Sequence, residues 1–102
     1  LAHGLRRFAS GVFLLWYPLK ADDSAAAITR EVKALNVPAT LCVELRVREA
    51  FKGGGLAGSG LLIVNTPWQL DRELMMIVPA LALRLGLGDW GHGRAEWLVP
   101  PK

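Results

Sequence analysis

The stretch TLCVELRVR, Thr40 to Arg48, alternates apolar and polar residues without a break. Successive side chains along a strand point to opposite faces, so a period of two marks a strand with unlike faces. Leu41, Val43, Leu45 and Val47 share one face here, and Cys42, Glu44, Arg46 and Arg48 share the other. The pattern predicts a half-exposed strand. Gly53-Gly54-Gly55 and Gly58-Ser59-Gly60 come next, followed by the apolar run Leu61 to Val64, which reads as a second, buried strand. The glycine-rich connection is flexible and carries no helical pattern, whereas parallel neighbours are normally joined through a crossover helix. The two strands are therefore expected to pair antiparallel.

Upstream, Val12 to Tyr17 is a continuous apolar run between Gly11 and Pro18. Its length and aromatics predict a strand buried on both faces. Asp22, Asp23 and Ser24 offer caps and acidic charge for a helix start. Ile28, Val32 and Leu35 then recur at helical spacing, and Asn36 and Pro38 stop the helix. Downstream, Leu70, Leu74, Ile77, Val78, Leu81 and Leu85 form a second helical stripe. Pro79 is expected to kink that helix or divide it. Gly86 to Gly93 reads as a glycine-rich turn. Arg94 to Val99 reads as a last strand with Ala95, Trp97 and Val99 on one face. The order is β-α-β-β-α-β, with helices packed on the sheet. There is no internal repeat and no linker long enough to divide the 102 residues, so 1–102 is one domain.

A hydrophobic content of 52% is enough for a true core, although a chain this short buries a modest share of its surface. No apolar run approaches the ~20 residues that span a bilayer, so no membrane association is expected. Leu1 to Lys20 lacks the layout of a signal peptide, because Pro18 and Lys20 stand where a cleavage site would be. Cys42 is the single cysteine, so the chain forms no internal disulfide and no cysteine metal cluster, which suits the cytoplasm. The chain opens on Leu1 rather than Met, as a piece of a longer protein would. A net charge of +3 and a pI near 9.5 permit a nucleic-acid partner without requiring one.

No Ser-His-Asp signature, paired carboxylates or metal-ligand spacing stands out, so no catalytic, cofactor or metal residue is assigned. His3 and His92 read as solvated loop residues, and Cys42 as a plain thiol on the polar strand face. Gly53 to Gly60 leads into a strand, so it presents no helix N-terminus to a phosphate or cofactor. Arg6, Arg7, Arg46, Arg48 and Lys52 form either a basic surface for phosphates or scattered solvated charges. Two stretches carry aromatics beside polar residues. Trp16-Tyr17-Pro18 ends a strand expected to be parallel, where ligand sites of α/β sheets lie; its aromatics line a base pocket or belong to the core. Asn65-Thr66-Pro67-Trp68 resembles the loop with which adenine-N6 methylating enzymes hold a flipped base: a polar residue accepts from the amine, prolines stiffen the backbone and an aromatic ring stacks. Its simpler reading is structural: Asn65 caps the following helix, Pro67 begins it and Trp68 packs into the core.

Four blocks then fix a family resemblance. GLRRFASGVFLLWYPL (Gly4 to Leu19), ELRV (Glu44 to Val47), GSGLLIVNTPW (Gly58 to Trp68) and AEWLVP (Ala95 to Pro100) together resemble the C-terminal part of the bacterial large-subunit ribosomal RNA adenine-N6 methyltransferases. That family is also labelled a protein of external DNA catabolism. The similarity covers nearly the whole chain and keeps the order of the blocks. It implies a partial Rossmann-like methyltransferase sheet, α/β and mixed parallel/antiparallel, with the cofactor half absent. The strands at Leu41 to Val47 and Leu61 to Val64 would be the antiparallel pair closing its far edge. The family's catalytic D-P-P-Y loop and its S-adenosylmethionine residues lie upstream of the segment matching Leu1. Its second loop, N-P-P-W, matches Asn65 to Trp68 with Thr66 in place of a proline.

The resemblance implies part of an S-adenosylmethionine-dependent 23S ribosomal RNA (adenine-N6) methyltransferase, inactive as this piece, with ribosomal RNA as partner of the intact enzyme. Asn65, Pro67, Trp68, Trp16 and Tyr17 are its candidate substrate-binding residues. The rival reading is a non-enzymatic nucleic-acid-binding module linked to external DNA use, resting on the basic balance and on Arg46 and Arg48. A third is a purely structural association domain. A fragment of this kind is also expected to leave the sheet edge at Val12 to Tyr17 uncovered and to self-associate through it.

Overall fold

The computed structural model describes residues 4–7, 11–20, 24–47, 57–85 and 92–101, and only the backbone of 4–7. Several expectations fall outside these residues: the Asp22 and Asp23 caps, the Gly53-Gly54-Gly55 connection, the glycine turn at 86–91, and the side chains of His3, Arg6, Arg7, Arg48 and Lys52.

The elements are β1 (Gly4–Arg7), β2 (Phe13–Leu19), α1 (Ser24–Ala34), β3 (Thr40–Arg46), β4 (Gly58–Val64), α2 (Leu70–Leu85) and β5 (His92–Val99). Strands β2 to β5 with their two helices follow the expected β-α-β-β-α-β order; β1 was not expected. The sheet has five strands in the order β1-β2-β4-β3-β5. The β3–β4 pair is antiparallel as its connection requires, with Cys42 opposite Leu62 and Glu44 opposite Gly60.

The expected partial Rossmann-like α/β sheet, mixed parallel/antiparallel, is corrected, because every neighbouring pair is antiparallel. The reason lies in the connections. Strands β2 and β3 run the same way, but the β3–β4 connection returns β4 into the space between them. Strands β4 and β5 also share a direction, and β3 separates them. Same-direction strands exist, but none are neighbours. Two further expectations fall with this. Trp16-Tyr17-Pro18 does not end a parallel strand. Nor is β2 an uncovered edge, since β1 pairs with one side of it and β4 with the other. The sheet ends at β1 and β5, and self-association through Val12 to Tyr17 loses its premise.

Both crossovers step across the sheet in the same sense, from strands of opposite direction. A right-handed connection then puts their helices on opposite faces, and the packing agrees. Ala25, Ile28 and Val32 of α1 lie against Tyr17, Leu19, Cys42 and Leu62. Val78 of α2 lies against Gly93, which pairs with Leu45 and so belongs to the other face. A Cβ on Gly93 would come within 2.5 Å of the Val78 carbonyl oxygen, so glycine lets α2 sit directly on β5.

This two-sided cover also corrects the reading of β3. Cys42 and Glu44, expected on a solvated face, are buried: Cys42 lies beneath α1, and Glu44 is only 7% exposed. Helix α1 ends where Asn36 turns left-handed (φ 53°), so Leu35 falls off its stripe and is 71% exposed. Helix α2 continues through Pro79 as one element, although proline leaves the Met75 carbonyl without its usual donor. Val78 and Ala82 are its buried residues; Ile77, Leu81 and Leu85 of the expected stripe are exposed.

Candidate functional site

Two regions bring together the aromatic and polar residues singled out by the sequence. The first is a row across the sheet: Tyr17 pairs with Gly60, Gly60 with Glu44, and Glu44 with Arg94. Gly60 makes the row possible. A Cβ there would lie 2.2 Å from the tyrosine Cζ, so the ring lies flat over β4 in the space a side chain would take. The Tyr17 hydroxyl thereby reaches β3 and donates to Glu44 Oε2 at 2.8 Å, with Cys42 Sγ at 3.4 Å. Glu44 Oε1 accepts from Arg94 Nη2 at 2.9 Å, and Arg94 Nη1 also holds Glu96. The buried carboxylate is thus matched by a hydroxyl and a guanidinium. Burial pushes the Tyr17 hydroxyl far above its ordinary range, helped by hydrogen bonds to Cys42 and Glu44. Burial likewise pushes up the Cys42 thiol. Both groups stay protonated, which is the state of structural rather than nucleophilic residues.

Glu44 and Arg94 also line a shallow cleft of about 160 Å³ with Arg46, His92 and Gly93. His92 opens β5 instead of lying in a loop. Among these cations, Arg94 is shared between two carboxylates.

The second region is the loop 65–69, which carries Asn65, Pro67 and Trp68. Its structural reading is corrected on each count, and α2 begins at Leu70, not at Pro67. Asn65 is exposed and lies five residues before α2 begins, in the left-handed region at φ 61°. The carbonyl that accepts from Glu73 at the helix start belongs to Gln69, itself at φ 71°. Trp68 does not enter the core and is 89% exposed. Thr66 holds the loop. Its N–H donates to the Ala39 carbonyl at 2.9 Å, and its hydroxyl lies 2.9 Å from the carbonyls of both Ala39 and Ile63. A proline at this position, as in the resembled N-P-P-W loop, has no N–H to give. Thr66 therefore replaces ring rigidity with hydrogen bonds.

Ala39 is the hub of this region. Besides accepting from Thr66, it donates its own N–H to the Pro100 carbonyl at 3.2 Å, at a left-handed φ of 58°. Three segments are thus pinned at one residue: the turn before β3, the loop after β4 and the end of β5. Between them lies a pocket of about 340 Å³, walled by Trp68 on the loop and Trp97 on β5, with Asp71 and Arg72 from the first turn of α2. Sequence reading placed Trp97 on one face of the last strand but gave it no site role. The return of β5 beside β3 makes it a neighbour of a loop some thirty positions earlier.

Of the five candidates, Pro67 and Trp68 line this pocket and Asn65 adjoins it in the chain. Tyr17 lies in the buried row. Trp16 points to the opposite face of β2, 38% exposed, and pairs with Leu61, four residues before Asn65. The five do not form one cluster. Among the described residues no group of three His, Cys, Asp or Glu could hold a metal ion, and no helix is long and apolar enough to cross a membrane.

Of the glycine-rich stretch 53–60, Gly58 and Gly60 lie within β4 and not before a helix. Gly58 serves strand contact: a Cβ there would meet the Leu45 carbonyl oxygen at 2.1 Å.

Fold and site define an antiparallel sheet between two helices that carries an exposed aromatic pocket. Residues 1–99 match the family described as ribosomal RNA large subunit methyltransferase D, RlmJ, and the chain belongs to that family. It is 30% identical over 100 residues to ribosomal RNA large subunit methyltransferase J of Escherichia coli (strain K12), covering 98% of this chain and 36% of that protein. It is 31% identical over 103 residues to the protein of the same name from Haemophilus influenzae, with the same shares covered. The chain thus spans about a third of the length of these relatives.

Proposed function

We propose that this chain is the C-terminal, substrate-side portion of a cytoplasmic methyltransferase that transfers a methyl group from S-adenosylmethionine to the N6 of an adenine in large-subunit ribosomal RNA. The observation that carries this reading is the family match along residues 1–99. S-Adenosylmethionine supplies the methyl group and is held by parts of the enzyme outside this chain. The residues described here do other work. The row from Tyr17 to Arg94 fixes the sheet, and the sheet holds β4 and β5 so that Trp68 and Trp97 face a common pocket. Asn65, Pro67 and Trp68 form a wall for RNA. Trp16 is a candidate contact on the other face of β2. The basic-module alternative rests on the basic balance and on Arg46, which lines the shallow cleft beside Glu44 and Arg94.

The test is methyl transfer by the full-length protein that contains this sequence. Unmodified large-subunit RNA would be incubated with labelled S-adenosylmethionine, digested to nucleosides and assayed for N6-methyladenosine. Label in that nucleoside is the expected result. RNA binding without any methyl transfer would favour the non-enzymatic reading, and label in a different nucleoside would refute the adenine-N6 assignment.

A further inference from the structure

We infer that the pocket between Trp68 and Trp97 is a stacking subsite for one unpaired RNA nucleotide beside the methylated adenine, with the phosphate of that nucleotide on Arg72. The inference rests on the proposed function for its ligand and on separate observations for its place.

A tryptophan 89% exposed on a rigid loop is the first of these. Exposed indole is normally buried against something, and a nucleobase offers a flat π-face to either side. The second is concavity: at about 340 Å³ the pocket lies at the small end of the range for small-molecule sites, suited to one ring system rather than to a protein surface. The third is its polar complement. Arg72 supplies a guanidinium for phosphate, and Asp71 supplies an acceptor for an exocyclic amine. The fourth is built-in strain. Three of the four non-glycine residues in the left-handed region, among the described residues, are Ala39, Asn65 and Gln69. Two of these line the pocket and the third precedes Thr66. Such backbone is held only where its surroundings impose it, and here the hydrogen bonds converging on Ala39 do so.

The proposed function places the S-adenosylmethionine outside this chain, so the pocket suits a neighbouring nucleotide better than the target. Unpaired RNA is read in this way, by splaying bases onto aromatic side chains.

The experiment uses the full-length protein and a short single-stranded oligoadenylate. Binding should quench tryptophan fluorescence. Trp68→Ala should weaken binding roughly tenfold and remove most of the quench, while Trp68→Phe keeps most of the affinity. Arg72→Gln should lower the slope of log affinity against log salt by about one. Equal affinity in Trp68→Ala and the parent protein would overturn the subsite. So would an unchanged KM for ribosomal RNA in a Trp68→Ala enzyme that still transfers methyl groups, and in that case the proposed function would stand. Quenching that depends on Trp68 in a parent protein with no methyl transfer would support the subsite and remove the enzyme reading.

Discussion

The row Tyr17–Gly60–Glu44–Arg94 and the loop 65–69 are both made of aromatic and polar residues lying close together. They have opposite fates. In the row the aromatic ring is fully buried and every polar group meets a partner. In the loop the aromatic ring is exposed, and the hydrogen bonds belong to the backbone and Thr66 rather than to the ring's neighbours. The difference lies in what surrounds each. Helix α1 covers the Tyr17 end of the row and Glu44 is only 7% exposed, so a charge there must be paired or expelled. The loop turns between a strand and a helix at the margin of the molecule, so its side chains are free to meet a ligand. The row is an interior device that happens to be polar. The loop is a surface device that happens to be aromatic.

The comparison is most easily broken at Gly60. Gly60→Ala puts a methyl group into the Tyr17 ring, and the ring has no second place to go beneath α1. We expect a loss of about 3 kcal/mol in denaturant unfolding. In a Tyr17→Leu background the same substitution should lose most of its effect, because the clash has been removed. Equal losses in both backgrounds would mean that Gly60 serves the backbone and not the ring.

These two regions also mark where the sequence could be read and where it could not. Alternation at Thr40 to Arg48 and the glycines after it located β3, β4 and their antiparallel pairing. Periodicity at Ile28 and Val32, ended by Asn36, located α1. None of this reported which strands would be neighbours. Placing β4 between β2 and β3 is a long-range outcome of two crossovers, and it turned the expected mixed sheet into an antiparallel one. It also buried Glu44, since alternation shows that two faces differ but not whether the polar one is covered. The family resemblance was legible in blocks, while the pocket needed Trp97 to come from another part of the chain. Gly60 opposite Tyr17 was visible in principle, as an aromatic and a glycine in facing strands, but only once the register was known.

A smaller effect sharpens the contrast from inside the row. Tyr17→Phe removes the hydroxyl that donates to Glu44 while Arg94 still holds the carboxylate. A hydrogen bond to a charged group is worth about 1.5 kcal/mol net, and we expect that loss at neutral pH. The pH dependence identifies its source. Folding raises the Tyr17 pKa, so the unfolded chain loses this proton first. Between the ordinary tyrosine value of ~10 and the folded value, the unfolded state binds fewer protons than the native one, and stability falls as pH rises. Cys42 acts in the same direction from its own ordinary range upward. Stability measured from pH 8 to 11 should therefore decline, and decline less in Tyr17→Phe, where only the cysteine contribution remains. Parallel curves for the two proteins would show that the hydroxyl is not held as the geometry indicates.

The smallest effect is expected where the ring is largest. Trp68 is the bulkiest side chain in the loop, and truncating a buried tryptophan typically removes 3–5 kcal/mol, on the order of a third of a small domain's stability. Here the indole removes little surface from water on folding, so its burial contributes almost nothing. The loop keeps its shape through Thr66 and Ala39, which the substitution leaves alone. Trp68→Ala should therefore change unfolding free energy by less than about 0.5 kcal/mol. The measurement is the same denaturant titration used for Gly60→Ala, with the binding assay run on the same sample. A loss above 2 kcal/mol would mean that the ring packs against the protein in solution, and the loop would then join the row as part of the interior. An unchanged stability together with weaker RNA binding separates the two regions in the way their surroundings require. A large exposed aromatic that contributes nothing to folding is retained at a cost in solubility, and ligand binding gives that cost a physical reason.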